Sequence, residues 1–198
     1  MLKPEDVTYS VPRFLSFIDL AYLLDATKVA DEHLASKLPE PSTDEDRNKI
    51  GNINATRQSL LRAAFIASYA ILEQNLDELV EMERKKKNIL LLASELKDRG
   101  IVRSLTYANK VLGYEIDINL NHWKELLLLQ EVRNHLVHYG PDFSATKDHN
   151  NRFDRFATSP YVTLRPVICF TIGQIEKIFE LYMACVHDFL PSDPEEQD

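Results

Sequence analysis

The chain has 198 residues, of which 44% are hydrophobic and 27% charged, with a formal net charge of −8. That length allows one domain with a full core and is short for two. The acidic balance repels phosphate at long range and argues against a general nucleic-acid coat protein, whose binding depends on neutralising phosphates.

Only five glycines, with long stretches of Leu, Ala, Glu and Lys, favour helices over an all-β design. The expectation is an all-α, up-and-down helical bundle over residues 1–198, with frayed termini at 1–10 and 191–198. From Pro12 to about Lys37 an apolar stripe runs through Phe14, Phe17, Ile18, Ala21, Leu24, Val29 and Leu34, at helical spacing. Pro39 to Glu45 combines two prolines with capping residues and ends that helix. A second helix has a preface over 44–54 and a firm body from Thr56 to about Lys86, with the seam Leu61, Phe65, Tyr69, Leu72, Leu76 and Leu79. The run Arg84-Lys85-Lys86-Lys87 closes it, where cations suit the helix dipole; phosphate binding is the other reading of this run.

Two short helices are predicted next, Ile89 to Arg99 and Ile101 to Leu112, stopped by Gly100 and Gly113. After a link at Tyr114 to Leu120, Asn121 opens a helix from His122 to Tyr139, closed by Gly140 and Pro141. Leu126 to Leu129 make it apolar on every side, so it is the central member of the bundle. Pro141 to Pro160 has no helical period, and so long an irregular stretch points to function or disorder. A weakly alternating arm at Tyr161 to Phe170 precedes a last helix from Thr171 to Leu190, with Ile172, Ile175, Ile178, Phe179, Tyr182 and Val186 inward.

Cys169 and Cys185 are too few for a disulfide framework and read as small buried thiols. Residues 1–10 lack the apolar core of a secretion signal, and no apolar run approaches the roughly 20 residues of a membrane span. These features predict a cytoplasmic protein without membrane association.

One row along the central helix reads Leu126, Leu129, Arg133, Leu136 and Gly140, placing a cation where the pattern calls for an aliphatic residue. A buried charge needs a partner. Arg133 is either a structural cation neutralised by a carboxylate, for which Glu73 is the candidate, or it lines a cleft that receives an anion. Asn134 and His138, four residues apart, share a face, whereas Arg133 and His138 lie about 140° apart around an ideal helix.

The string Arg133-Asn134-His135-Leu136-Val137-His138, an Arg followed by Asn and then by His after four intervening residues, resembles the nuclease motif of the HEPN superfamily (higher-eukaryote and prokaryote nucleotide-binding). The long helix around Arg62 to Glu73, the motif helix and a closing helix are similar to that family's bundle. The resemblance implies metal-independent RNA cleavage at the interface of a homodimer, in the setting of toxin or antiphage proteins with an antitoxin or other regulatory partner. No cofactor and no metal are expected. In that chemistry His138 takes a proton from the ribose 2′-hydroxyl. Arg133 holds the phosphate, and Asn134 orients His138 or the scissile group. Tyr139, Arg152 and Arg155 are candidate substrate-binding residues. In the loop, Phe143, Phe153 and Phe156 interleave with these arginines, a pattern suited to stacking bases, although anchoring by the phenylalanines is the plainer reading. His135 falls among apolar neighbours and reads as a packing residue.

Two further readings remain beside this one. His135, His138 and Glu131 have the spacing of a metal site, although no Glu-x-x-His pair occurs. A non-catalytic bundle could use Arg133 to grasp phosphate in a nucleotide, an RNA or a partner.

Overall fold

The computed structural model describes residues 4–144 and 149–189, with side chains from 18 to 144 and from 150 to 189. Among these, six helices run in the order α1 (Pro4–Ala35), α2 (Asp44–Lys86), α3 (Gly100–Tyr107), α4 (Asn121–Tyr139), α5 (His149–Ala157) and α6 (Ile172–His187). A two-stranded antiparallel hairpin, β1 (Thr163–Leu164) and β2 (Ile168–Cys169), pairs Thr163 with Cys169 and Leu164 with Ile168. The fold is therefore an all-α bundle.

The 43-residue α2 organises it. Thr43 caps its start: the hydroxyl accepts from the Asp46 N–H at 3.1 Å while the Asp46 carboxylate takes the Thr43 N–H at 2.9 Å. The segment read as a preface is continuous with the helix body, Gly51 included. Leu61, Phe65, Tyr69, Leu72 and Leu76 are buried as their spacing predicts; at the next turn Val80, not Leu79, is the fully buried residue. This face packs on α1, α3, α4 and α6, and one contiguous apolar cluster links the helices.

Helix α1 starts at Pro4, earlier than the predicted Pro12. Its buried stripe is Leu20, Thr27 and Asp31, whereas Ala21 and Val29 face outward. The reason is polar: the Asp31 carboxylate takes two bonds from the Arg57 guanidinium, at 2.8 and 2.9 Å, joining α1 to α2. The predicted inward positions Phe14 and Phe17 lie outside the described side chains, and 191–198 outside the described residues.

The segment 89–99, predicted as a helix, contains only one 3-10 turn at Ala93–Glu95. Asn88 adopts φ 53 and turns the chain out of α2, and Gly100 adopts φ 58. Eleven residues between two left-handed positions have too little packing to keep a helix. Leu90, Leu91 and Leu92 are all exposed. Gly100 thus starts α3 instead of stopping a helix before it. Beyond α3 a π turn, Ala108–Leu112, completes the stretch predicted as far as Leu112, and Gly113 closes it at φ 80.

The irregular stretch predicted over 141–160 holds α5, anchored by buried Phe156 beside buried Phe143. The hairpin is clamped on α2 by Gln58, which donates to the Phe170 carbonyl and accepts the Phe170 N–H. Thr171 caps α6 with a second reciprocal box through Gln174. Both cysteines are free thiols, and burial pushes the Cys185 thiol far up. No described helix is long and apolar enough to cross a membrane.

Candidate functional site

Helix α4 is held by its apolar face. Trp123, Leu126, Leu129 and Val132 are fully buried, and α4 packs against α2 and α6. Gly140, at φ 80, ends the helix, its N–H bonded to the Leu136 carbonyl. This fixes the rotation of α4 and sends Gln130, Arg133, Asn134 and His138 toward one opening.

That opening is a cleft of about 380 Å³, lined by Tyr69 and Glu73 of α2, Arg99 and Gly100 at the start of α3, and Gln130, Arg133, Asn134 and His138 of α4. Arg133 is half-buried, and its Nη1 donates to Asn134 Oδ1 at 3.0 Å. Its Nε is buried without a partner, and among the described residues no carboxylate forms an ion pair with it. Asn134 therefore aligns the guanidinium and not His138. His138 is exposed at the cleft wall. Arg133 and His138 line the same cleft despite the angle between them.

The predicted partner, Glu73, lines the cleft without pairing with Arg133. Its Oε1 lies 3.1 Å from where a Cβ on Gly100 would stand, with Gln130 Nε2 3.2 Å from the same point. The first turn of α3 has no side-chain cap, so its unsatisfied N–H groups and dipole favour a carboxylate there. Gly100 permits this approach, being without a side chain and free to take positive φ. Tyr69 is 1% exposed and its hydroxyl has no partner. Burial holds that hydroxyl well above the ordinary phenol range, so it remains a neutral donor.

Two further cleft residues, Gln130 and Tyr69, are legible by helical spacing from site candidates. Gln130 precedes Arg133 by three and Asn134 by four, and Tyr69 precedes Glu73 by four. Arg99 had no such signal, because its segment reads as helix.

Tyr139, Arg152 and Arg155 do not line the cleft. They sit where α4 meets α5: the Arg152 guanidinium lies 5.5 Å from the Tyr139 ring centroid, and Arg155 pairs with Glu131 at 2.5 Å. Beneath them His135, fully buried, donates from Nε2 to the Asp142 carbonyl at 2.9 Å and packs on Phe143, with ring centroids 4.6 Å apart. The phenylalanines anchor this segment as packing residues, and His135 packs as its neighbours predict.

Burial lowers the His135 pKa below its ordinary 6.5, outweighing the Asp142 carbonyl. The sign follows from linkage: above about 6.5 neither folded nor unfolded chain holds this proton, and below it the unfolded chain takes up a proton that the buried ring refuses. Stability at this position is thus complete above pH 6.5 and declines as pH falls. Urea unfolding from pH 7.5 to 5 should show a decline, at most about 1.4 kcal/mol per pH unit from this one group, that His135→Gln flattens. An equal slope in the variant removes the assignment.

The basic run that ends α2 is occupied structurally. Arg84 pairs with Glu81 at 2.7 Å, Lys85 with Glu81 at 3.4 Å and Lys86 with Glu83 at 3.7 Å, while Lys87 donates to the Leu112 carbonyl. Among the described residues no group of three or more His, Cys, Asp or Glu side chains is placed to hold a metal ion.

Compared with protein-family models, curated proteins and solved structures, the chain matches none. Fold and site together define an all-α bundle whose central helix opens an Arg-Asn-x-x-x-His string onto a polar cleft.

Proposed function

We propose that this protein is a metal-independent endoribonuclease of HEPN type, cleaving RNA by attack of a ribose 2′-hydroxyl on the adjacent phosphate. The observation that carries this is the half-buried Arg133 guanidinium, in one cleft with His138 and with no carboxylate ion-paired to it among the described residues. A buried cation without an internal acid is costly unless an anion arrives, and a phosphodiester is such an anion.

In this reading Arg133 binds the non-bridging oxygens and stabilises charge developing in the transition state, with Asn134 holding its fork in place. His138 accepts the 2′-hydroxyl proton, imidazole being the side chain whose charge changes nearest neutral pH. A second proton must reach the leaving 5′-oxygen. A homodimer would supply another His138 for that step, as the resemblance implies. An antitoxin or other regulatory partner, and a cytoplasmic setting, belong to the same reading.

A second reading, a non-catalytic module that grips nucleotide, RNA or a protein partner, is favoured by Glu73 in the cleft and by the net charge of −8. Both work against rapid phosphate capture. Incubating purified protein with RNA and excess chelator separates the readings. The enzyme yields 2′,3′-cyclic phosphate ends in chelator; RNA retained uncut supports the module, and cutting abolished by chelator overturns the metal-independent mechanism.

A further inference from the structure

Two polar groups in the cleft have no task in phosphate chemistry. The Glu73 carboxylate and the Gln130 side-chain amide make no hydrogen bond or ion pair among the described residues. Both converge on the bare Cα of Gly100, with Glu73 Oε1 and Gln130 Nε2 3.1 and 3.2 Å from the same point. An acceptor pair and a donor thus lie near one point of the cleft lining, and the cleft of about 380 Å³ falls in the range that holds a small organic ligand, roughly 300–1,000 Å³.

We infer that the Glu73–Gln130 edge of this cleft reads a guanine base. A carboxylate offers two acceptor oxygens in a plane, and guanine is the one RNA base whose pairing edge carries two adjacent donors, N1–H and N2–H. Next to them O6 accepts, which matches the Gln130 amide N–H. Uracil and cytosine each give the carboxylate one donor group, and adenine adds an acceptor that it would repel. Arg99, exposed at the rim, has the flat guanidinium on which a base stacks. Arg133, one helical turn after Gln130 on α4, lines the same cleft and would hold the phosphate of the same nucleotide. The inference deepens the ribonuclease reading, and the guanine belongs either to an RNA strand or to a free nucleotide.

The test has two arms. In the first, calorimetry or NMR titration compares GMP, IMP, AMP, CMP and UMP on the wild-type protein and on Glu73→Gln. GMP should bind about tenfold or more tightly than the pyrimidine nucleotides and AMP, the discrimination usual for one bidentate contact. IMP, which lacks N2–H, should lose much of this advantage, and Glu73→Gln should erase the difference between GMP and IMP. Thermal unfolding controls for folding: this isosteric change should keep a cooperative transition and lower its midpoint by at most about 4 °C, through the charge lost beside the start of α3. Equal binding of all five nucleotides, absence of binding at millimolar concentration, or a guanine preference that survives Glu73→Gln overturns the inference. In the second arm, oligonucleotides with a single G at varied positions are incubated with the protein. Cutting that follows the G supports RNA as the source. Cutting indifferent to base overturns the inference and leaves the ribonuclease standing, whereas selective GMP binding without RNA cutting keeps the inference, with a free nucleotide as ligand, and removes the ribonuclease.

Discussion

Arg133→Ala and His138→Ala should each abolish RNA cleavage while leaving the fold intact. Loss of the guanidinium removes a positioned charge at the transition state, worth about 10²–10³ in rate; loss of the imidazole removes proton transfer, worth about 10²–10⁴. Neither change should unfold the chain. His138 is exposed, and Arg133 has one hydrogen bond, a buried Nε without a partner and no ion pair among the described residues. Replacing Arg133 by Met fills the same row with an apolar side chain and removes an unsatisfied donor, which should raise stability by about 1 kcal/mol. Activity and stability would then move in opposite directions, as expected where a site holds strain for function. Single-turnover cleavage together with urea midpoints reads both. A Met variant destabilised by several kcal/mol would mean that Arg133 is a structural cation, and would remove the catalytic assignment with it.

The largest effect on stability is expected at Trp123. Its ring is fully buried, packs against Phe189 with centroids 6.0 Å apart, and its indole N–H donates to Asp188 Oδ2 at 2.7 Å. The same carboxylate oxygen meets His122 Nε2 at 2.7 Å, so one acid at the end of α6 ties down the start of α4. Trp123→Ala should cost about 3–5 kcal/mol through lost burial and the cavity left behind. Trp123→Phe keeps most of the ring and loses the hydrogen bond, about 1 kcal/mol. Leu90, 92% exposed, sets the contrast: Leu90→Ala should stay within about 0.5 kcal/mol. Chemical denaturation of the three variants checks the order, and an equal cost at Leu90 and Trp123 would contradict the packing described.

Helix period in the amino-acid sequence is enough to define α2, α4 and α6, because each buries a stripe of aliphatic and aromatic residues at steps of three and four. The misplaced cation at Arg133 and its polar neighbours Asn134 and His138 stand out against that stripe for the same reason. Periodicity fails where polar residues are buried or apolar ones exposed. Asp31 is inward because Arg57, on another helix, neutralises it. Leu90 to Leu92 look helical and are not, since helix propensity is weak beside the left-handed residues that bracket the segment. The short α5 is hidden by its charges, and depends on Phe143 and His135 to receive Phe156.

Partner choice is likewise beyond a linear reading. Sequence spacing nominates Glu73 as the acid for Arg133 and Arg152 with Arg155 as substrate contacts. The tertiary structure instead draws Glu73 to the uncapped start of α3, gives Arg155 to Glu131, and lays Arg152 over Tyr139. Local sequence sets which face of a helix is apolar. Which charge meets which is set by distances between helices that are far apart in the chain, and electrostatic energy depends on those distances.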